Sequence, residues 1–341
     1  MVEVVLAMQP LTIANTEILA GERRQLFINV ARLFDFTEMG MPVEVVRGKQ
    51  DGPHLFVCAA IHGDEINGVE IIRRLLRHPA LENIKGTLIA VPIVNVFGYN
   101  NKSRYLPDRR DLNRHFPGSP NGSMAGQLAH SFLEEIVKHC THGVDLHTGA
   151  IHRSNLPQIR ANLDDPETNR LAHAFNVPVM INSSLRDGSL REAARELNIP
   201  ILLFEGGEAL RHDEQVISSG LNGILTLMNE IGMISFEGQK ADDDKLFIAL
   251  SSSWLRAPQS GSLRPIKTLG GRVEKGEVLG VISDPFGRIQ AEIVAKSPGI
   301  IIGAVTLPLV NRGDALFHIA SFADPEEVEE HIDDFLDEHM A

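Results

Sequence analysis

The sequence predicts an α/β layered fold followed by a smaller all-β region, and three observations predict it. Apolar runs of strand length alternate with helix-period segments through about the first 240 residues. The internal runs end in polar motifs, HGDE, VDLHTG and LFEGG. From residue 245 to 320 the pattern changes to short strands punctuated by glycine, with no helical period.

Taken in order, Arg24 to Leu33 and Val43 to Val46 read as extended, with Met41-Pro42 and Asp51-Gly52-Pro53 expected to interrupt them. His54 to Ala60 (HLFVCAA) is a nearly continuous apolar run, as in a strand covered on both faces. Glu65 to Arg77 places Val69, Ile72, Leu75 and Leu76 on one side of a helix. Thr87 to Val94 is a second buried strand, Met124 to His139 a helix, and Gly143 to His147 a third strand. Helix-to-strand steps follow over Glu167–Asn176 into Val179–Ile181, and over Arg191–Leu197 into Ile201–Phe204. Gln215 to Ile231 closes the region as a long helix. Short strands are then expected at Phe247–Leu250, Arg272–Val273, Val278–Ile282, Arg288–Ala295 and Ala315–Ile319. The chain thus divides into a unit over 1–240, a small β domain over 245–320 and an acidic tail over 321–341, with a boundary near 238–245.

The 341 residues carry a formal charge of −13, but not evenly. Asp324 to Glu338 holds nine carboxylates and neither lysine nor arginine, with apolar residues at helical intervals, so the tail reads as a solvated acidic helix. Surplus negative charge argues against generic binding to nucleic acid or an anionic membrane, because such sites need positive charge. The N-terminus has no basic start and no apolar run reaches about 18 residues, so neither a signal peptide nor a membrane span is expected and the cytoplasm is the default address. Cys58 and Cys140 lie beside apolar segments and read as reduced core residues.

Chemistry concentrates at the strand ends. Sites in open α/β sheets lie beyond the carboxyl ends of strands, where His62-Gly63-Asp64-Glu65, His147 and Glu205 fall. Two imidazoles and a carboxylate form a three-ligand set for catalytic zinc. By itself His-x-x-Glu is a weak metal signal and reads first as a helix-start carboxylate beside an incidental histidine. A second histidine at another strand end, His147 next to Asp145 and Thr148, strengthens the metal reading. Glu205, beyond an apolar strand, needs water, a cation or a proton-transfer partner; beside a metal it is a candidate base. The segment 101–118 (NKSRYLPDRRDLNRHFPG) supplies four arginines, Arg104, Arg109, Arg110 and Arg114, suited to a small acidic substrate or to ion pairs with Asp108 and Asp111.

In this order HGDE, DLNRHFPG, VDLHTG and LFEGG resemble the succinylglutamate desuccinylase/aspartoacylase family, the amidohydrolase branch of the zinc carboxypeptidase superfamily. The motifs span roughly residues 50–240, and the C-terminal β region also resembles that family's plan. The resemblance implies a mixed-sheet α/β/α zinc carboxypeptidase-like domain with a smaller C-terminal barrel-like β domain. It implies one Zn²⁺ per chain on His62, Glu65 and His147, with Glu205 as general base and acid. Asn113 and Arg114 match the pair that contacts the substrate carboxylate. Arg104 matches the arginine that polarises the scissile carbonyl, with Arg109 as its rival, and Arg191 resembles a further substrate anchor. The implied reaction is hydrolysis of a small N-acyl amino acid or related amide. Hydrolysis of a short peptide and a non-catalytic metal-binding role are the alternatives, and homo-oligomerisation is left open. Turns at 257–261 and 273–280 also resemble lipoyl- or biotinyl-type barrels, but no lysine-bearing carrier hairpin is present. A carried cofactor is therefore not expected, and a β region narrowing access to the site is.

Overall fold

The computed structural model describes residues 10–237 and 247–339. The expected boundary near 238–245 falls largely outside the described residues. The chain opens with a hairpin, β1 (Leu11–Ile13) and β2 (Thr16–Ile18), turned by Ala14 and Asn15 at positive φ. Then follow β3 (Arg23–Arg32), β4 (Glu38–Arg47), β5 (Gln50–Ala59), α1 (Asn67–Leu75), β6 (Lys85–Val91), α2 (Val96–Asn100) and α3 (Met124–Glu135). The next elements are β7 (His142–Gly149), β8 (Arg153–Ala161), α4 (Pro166–Phe175), β9 (Val179–Asn182), α5 (Leu190–Glu196), β10 (Ile201–Glu208) and α6 (Glu214–Glu230). The C-terminal part contains β11 (Phe247–Ala249), β12 (Ser251–Arg256), β13 (Gly261–Pro265), β14 (Arg272–Val273), β15 (Val278–Ser283) and β16 (Ile289–Val294). It ends with β17 (Gly299–Val305), β18 (Leu309–Val310), β19 (Ala315–Ser321) and α7 (Pro325–Glu338).

Among the described residues, one 13-stranded mixed sheet runs β12-β19-β17-β8-β10-β7-β5-β6-β4-β3, with β9, β11 and β14 off that path. The strands that carry the polar motifs, β5, β7 and β10, are adjacent and parallel, so their carboxyl ends meet at one edge. The apolar run in β5 is explained by two cores. Leu55, Val57 and Ala59 pack in one cluster with α1, α4 and α6, while Phe56 and Cys58 pack in the other with α2, α3 and α5. The result is a three-layer α/β/α arrangement. A separate four-stranded antiparallel sheet, β16-β15-β13-β18, lies in the C-terminal region.

The two proline breaks expected in the first strands do not occur. Pro42 lies inside β4, opposite Phe27, before the stretch from Glu44 onward where β6 pairs on the other side. With only one neighbour there, the missing N–H leaves no ladder bond unmade. Pro53 sits in the register shift between Gln50 and His54 of β5. The acidic tail is helical as expected: Asp324 caps α7, Val328, Ile332 and Phe335 are buried, and the carboxylates face outward, with Glu326 and Glu329 near Arg272. No described helix is long and apolar enough to cross a membrane.

Candidate active site

His62 follows β5 and Glu65 precedes α1, so both occupy one tight corner. His147 lies in β7, and Glu205 is its register partner in β10. Donor atoms of His62, Glu65 and His147 all lie within 4.8 Å of one another, and the three residues are buried. Both imidazoles present Nδ1 to the Glu65 carboxylate, at 2.8 Å from His62 and 2.7 Å from His147. Their Nε2 atoms are held from behind by carboxylates, His62 by Asp111 at 3.0 Å and His147 by Asp145 at 2.8 Å. This pattern of a ring nitrogen facing inward and a carboxylate on the far nitrogen is how metal-ligating histidines are oriented. The donor set fits a divalent cation such as zinc.

Electrostatics point the same way. Burial would raise the Glu65 pKa, but the two imidazoles and their hydrogen bonds hold it well below the usual carboxylate range. Asp111 is likewise lowered against the effect of burial, by His62 and Arg104. Burial disfavours the charged form of His62 and His147, yet the carboxylates around them keep both above the ordinary histidine value. A pocket that stabilises positive charge on both rings is suited to a cation in their place.

One cavity of 240 Å³ is lined by His62, Glu65, His147 and Glu205, together with Arg104, Asn113, Arg114 and Arg191. Arg104 donates to Glu65 Oε1 at 3.0 Å and to Asp111 Oδ2 at 3.1 Å. Asn113 Oδ1 accepts from the Leu190 backbone at 2.9 Å, which fixes its amide. Arg191 is 7% exposed and donates to Ser183 Oγ at 3.3 Å and the Arg160 carbonyl at 3.5 Å, with burial lowering its pKa. Arg109 is placed elsewhere. It sits exposed at φ 62° in a turn and does not line the cavity.

Several further lining residues were not singled out in the sequence, among them Arg153, Asn155 and Arg160 on β8, Arg186 before α5, and Trp254 on β12. Asn155 donates to Glu205 Oε1 at 2.8 Å, and Arg160 Nε lies 2.5 Å from Oε2. The second contact is an ion pair by distance, because the Nε–H does not point along it. Asp111, noted only as an arginine partner, proves also to orient His62. Its place in the DLNR motif was a usable signal.

A family model, the Succinylglutamate desuccinylase/Aspartoacylase catalytic domain, matches residues 51–231. The chain belongs to this family. The N-alpha-acetyl-L-2,4-diaminobutyric acid deacetylase of Halomonas elongata is 28% identical over 295 residues, covering 82% of this chain and 85% of that protein. A succinylglutamate desuccinylase/aspartoacylase from Rhodobacter sphaeroides has a similar structure, with a TM-score of 0.78 and 26% identity over 89% of this chain and 96% of that one. The ectoine utilization protein EutE (DoeB) from Ruegeria pomeroyi shares the fold, with a TM-score of 0.79 and 22% identity over 92% of this chain and 98% of its own. Within this family fold, the C-terminal strands of the present chain contribute a cavity wall through Trp254.

That wall has a pH signature. His318 on β19 is 4% exposed, and burial, then Arg160, push its pKa down to about 4 from 6.5. The unfolded chain therefore takes up a proton below pH 6.5 that the folded chain refuses until about pH 4, so this site stabilises less as pH falls through that window. Between pH 7 and pH 5 the loss from this group is about 2 kcal/mol. Chemical denaturation at both pH values is expected to show a smaller acid loss for His318→Gln than for the wild type. An unchanged difference would refute this origin.

Proposed function

We propose that the chain is a zinc-dependent hydrolase that cleaves the amide bond of a small N-acyl amino acid, releasing a carboxylate and an amine. The carrying observation is the convergence, in one cavity, of the His62–Glu65–His147 donor set, a carboxylate outside that set, and guanidinium groups of which Arg114 and Arg191 have no ion pair among the described residues. Family membership and the deacetylase relative support amide hydrolysis.

His62, Glu65 and His147 would hold the zinc, which supplies Lewis-acid activation of water and of a carbonyl oxygen. Asp111 and Asp145 keep the two imidazoles in the ligating orientation. Glu205 takes the proton from the attacking water and returns it to the departing nitrogen. Arg104, already beside the donor set, donates to the oxygen on which negative charge develops. Asn113, Arg114 and Arg191 bind the amino-acid carboxylate, an arginine fork matching its two oxygens. In this reading the unit over 1–240 is catalytic, and the region over 245–320 walls the cavity and keeps out polymers. Both cysteines are free and buried, which suits a reducing cytoplasm.

Metal analysis and a substrate panel test the reading together. Protein prepared with zinc should retain about one ion per chain, lose hydrolysis on chelation and regain it on adding zinc. The panel holds N-acetyl and N-succinyl amino acids and dipeptides. Turnover of N-acyl amino acids over dipeptides is expected; the reverse would favour a peptidase, and zinc-independent turnover would sink the metal assignment.

A further inference from the structure

A second cavity, of 580 Å³, lies at the opposite end of the sheet and has the size of a small-molecule site. Its walls come from the amino ends of β5 and β6, whereas the candidate active site lies at the carboxyl ends of β5, β7 and β10. The ten residues of β5 separate the two by roughly 30 Å of extended chain. Three segments meet there: residues 21–23 at the start of β3, the β4–β5 turn over 46–50, and the connection from α1 to β6 over 76–85. Backbone bonds join them. Gly21 N–H donates to the Gly48 carbonyl at 3.0 Å, Gly48 N–H to the Gly86 carbonyl at 2.8 Å, and Arg47 N–H to the Glu22 carbonyl at 2.9 Å. A Cβ on Gly48 would stand 2.0 Å from the Ile84 carbonyl oxygen, so the turn is seated directly on the opposite wall and the fold itself shapes the cavity.

Five cationic side chains line this cavity against two carboxylates, in a chain whose formal charge is −13. Arg23 pairs with Glu44, and the buried Arg47 donates to the Ile18 carbonyl. Lys49, Arg77 and Lys85 form no ion pair among the described residues. Of the two carboxylates, Glu22 pairs with Arg24, and Glu82 is exposed. Lys49 is also steadied, since a Cβ on Gly21 would stand 3.0 Å from its Cγ and its stem therefore packs over that glycine. Lysines scattered over a convex surface need no explanation. These cations instead share a concavity with buried Val46, Leu81 and Ile84, where their mutual repulsion is relieved by an anion.

We propose that this cavity binds a phosphate monoester of a small organic molecule, with the phosphate among Lys49, Arg77 and Lys85 and the organic part against the apolar wall. Two ammonium groups act as point charges toward a dianion and the guanidinium adds a fork, which suits the three oxygens of a phosphate better than the two of a carboxylate. The site shares no lining residue with the candidate active site, so the proposal is independent of the hydrolase reading.

Calorimetric titration of the zinc-loaded protein with AMP as the probe tests it. AMP is expected to bind saturably and at least about tenfold more tightly than adenosine, which lacks the phosphate. Inorganic phosphate should displace AMP, and succinate, a dianion without phosphorus, should do so at least about tenfold less well. Lys49→Gln combined with Arg77→Gln should weaken AMP binding at least about tenfold, while Lys275→Gln, at an exposed lysine outside the cavity, should leave it unchanged. Should the double variant fail to fold, Lys85→Gln replaces it. A folded wild type without saturable AMP binding overturns the proposal, as does equal affinity for adenosine or unchanged affinity in the cavity variant. AMP binding that is lost on Arg114→Gln instead would put the anion in the catalytic cavity and overturn it too. Succinate displacing AMP as well as phosphate does would overturn the phosphate class.

Discussion

Glu205→Gln is expected to lower turnover by about 10²–10⁴-fold while leaving the metal content unchanged. Both parts follow from where the carboxylate stands. Glu205 is outside the His62–Glu65–His147 group that could hold a metal, so its charge should not be needed to keep an ion there. It is the cavity carboxylate outside that group, and so the remaining group able to accept a proton from water. Glutamine preserves the shape and can still accept from Asn155, so the fold around β8 and β10 should persist. Arg160 then faces an amide in place of an anion, and some stability is lost with the ion pair. Steady-state kinetics beside elemental analysis separate the outcomes. Turnover retained within a few fold would refute the role, and loss of the metal would show that Glu205 belongs to the donor set after all.

The second large effect concerns a residue with no functional group. At Gly63 a Cβ would stand 2.0 Å from the Gly98 carbonyl carbon and 2.1 Å from the Tyr99 nitrogen, both backbone atoms. That stretch of α2 cannot easily give way. The Asn95 side chain caps Gly98 N, the Asn95 carbonyl accepts from Tyr99 N, and the Gly98 carbonyl accepts from Ser103 N. Gly63→Ala must therefore displace the corner that carries His62 and Glu65. Overpacking of this kind costs about 1–3 kcal/mol. Metal ligands tolerate displacements of only about 0.5 Å, so affinity should fall at least about tenfold. Denaturation midpoints and metal competition measure the two losses. Gly126→Ala in the first turn of α3 is the control, since a Cβ there would meet Ser123 Oγ at an ordinary 3.6 Å and alanine is favoured over glycine in a helix. Equal behaviour of the two variants would show that the corner is not tightly packed.

How much of this was legible in the sequence depended on where each residue sits. His62, Glu65, His147 and Glu205 could be read because they stand at the polar ends of apolar strands, and parallel pairing of β5, β7 and β10 brings such ends together. The sequence left Arg104 and Arg109 as rivals, for a mobile-looking arginine-rich loop has no period. The turn at Arg109 and the ion pairs of Arg104 separate them only in three dimensions. Strand β8 was not legible at all. Its sequence, RSNLPQIRA, mixes polar residues with Pro157, which argues against an interior strand. The structure resolves the conflict with a register shift: Glu205 pairs with Gln158 and Gly207 with Asn155, so Pro157 falls where no ladder bond is required. Missing that strand meant missing Arg153, Asn155 and Arg160. Trp254 was missed for another reason: nothing local marks an aromatic residue in β12 as facing a cavity built around residues 62 to 205.

Strand β8 also forks. Its first residues, Arg153 to Asn155, pair with β17, while Gln158 to Ala161 pair with β9. This gives the site a history during synthesis. A nascent chain that has reached α6 already contains the ligand corner, the candidate base and every arginine of the cavity. It still lacks the strand that pairs with Arg153 and the tryptophan of the cavity, because β12, β17 and β19 are made later. Segments of a chain generally fold as they emerge, N-terminal first. The corner that carries His62 and Glu65 can thus form early on the ribosome, whereas the wall beside it is completed only when β12, β17 and β19 return to the edge of β8.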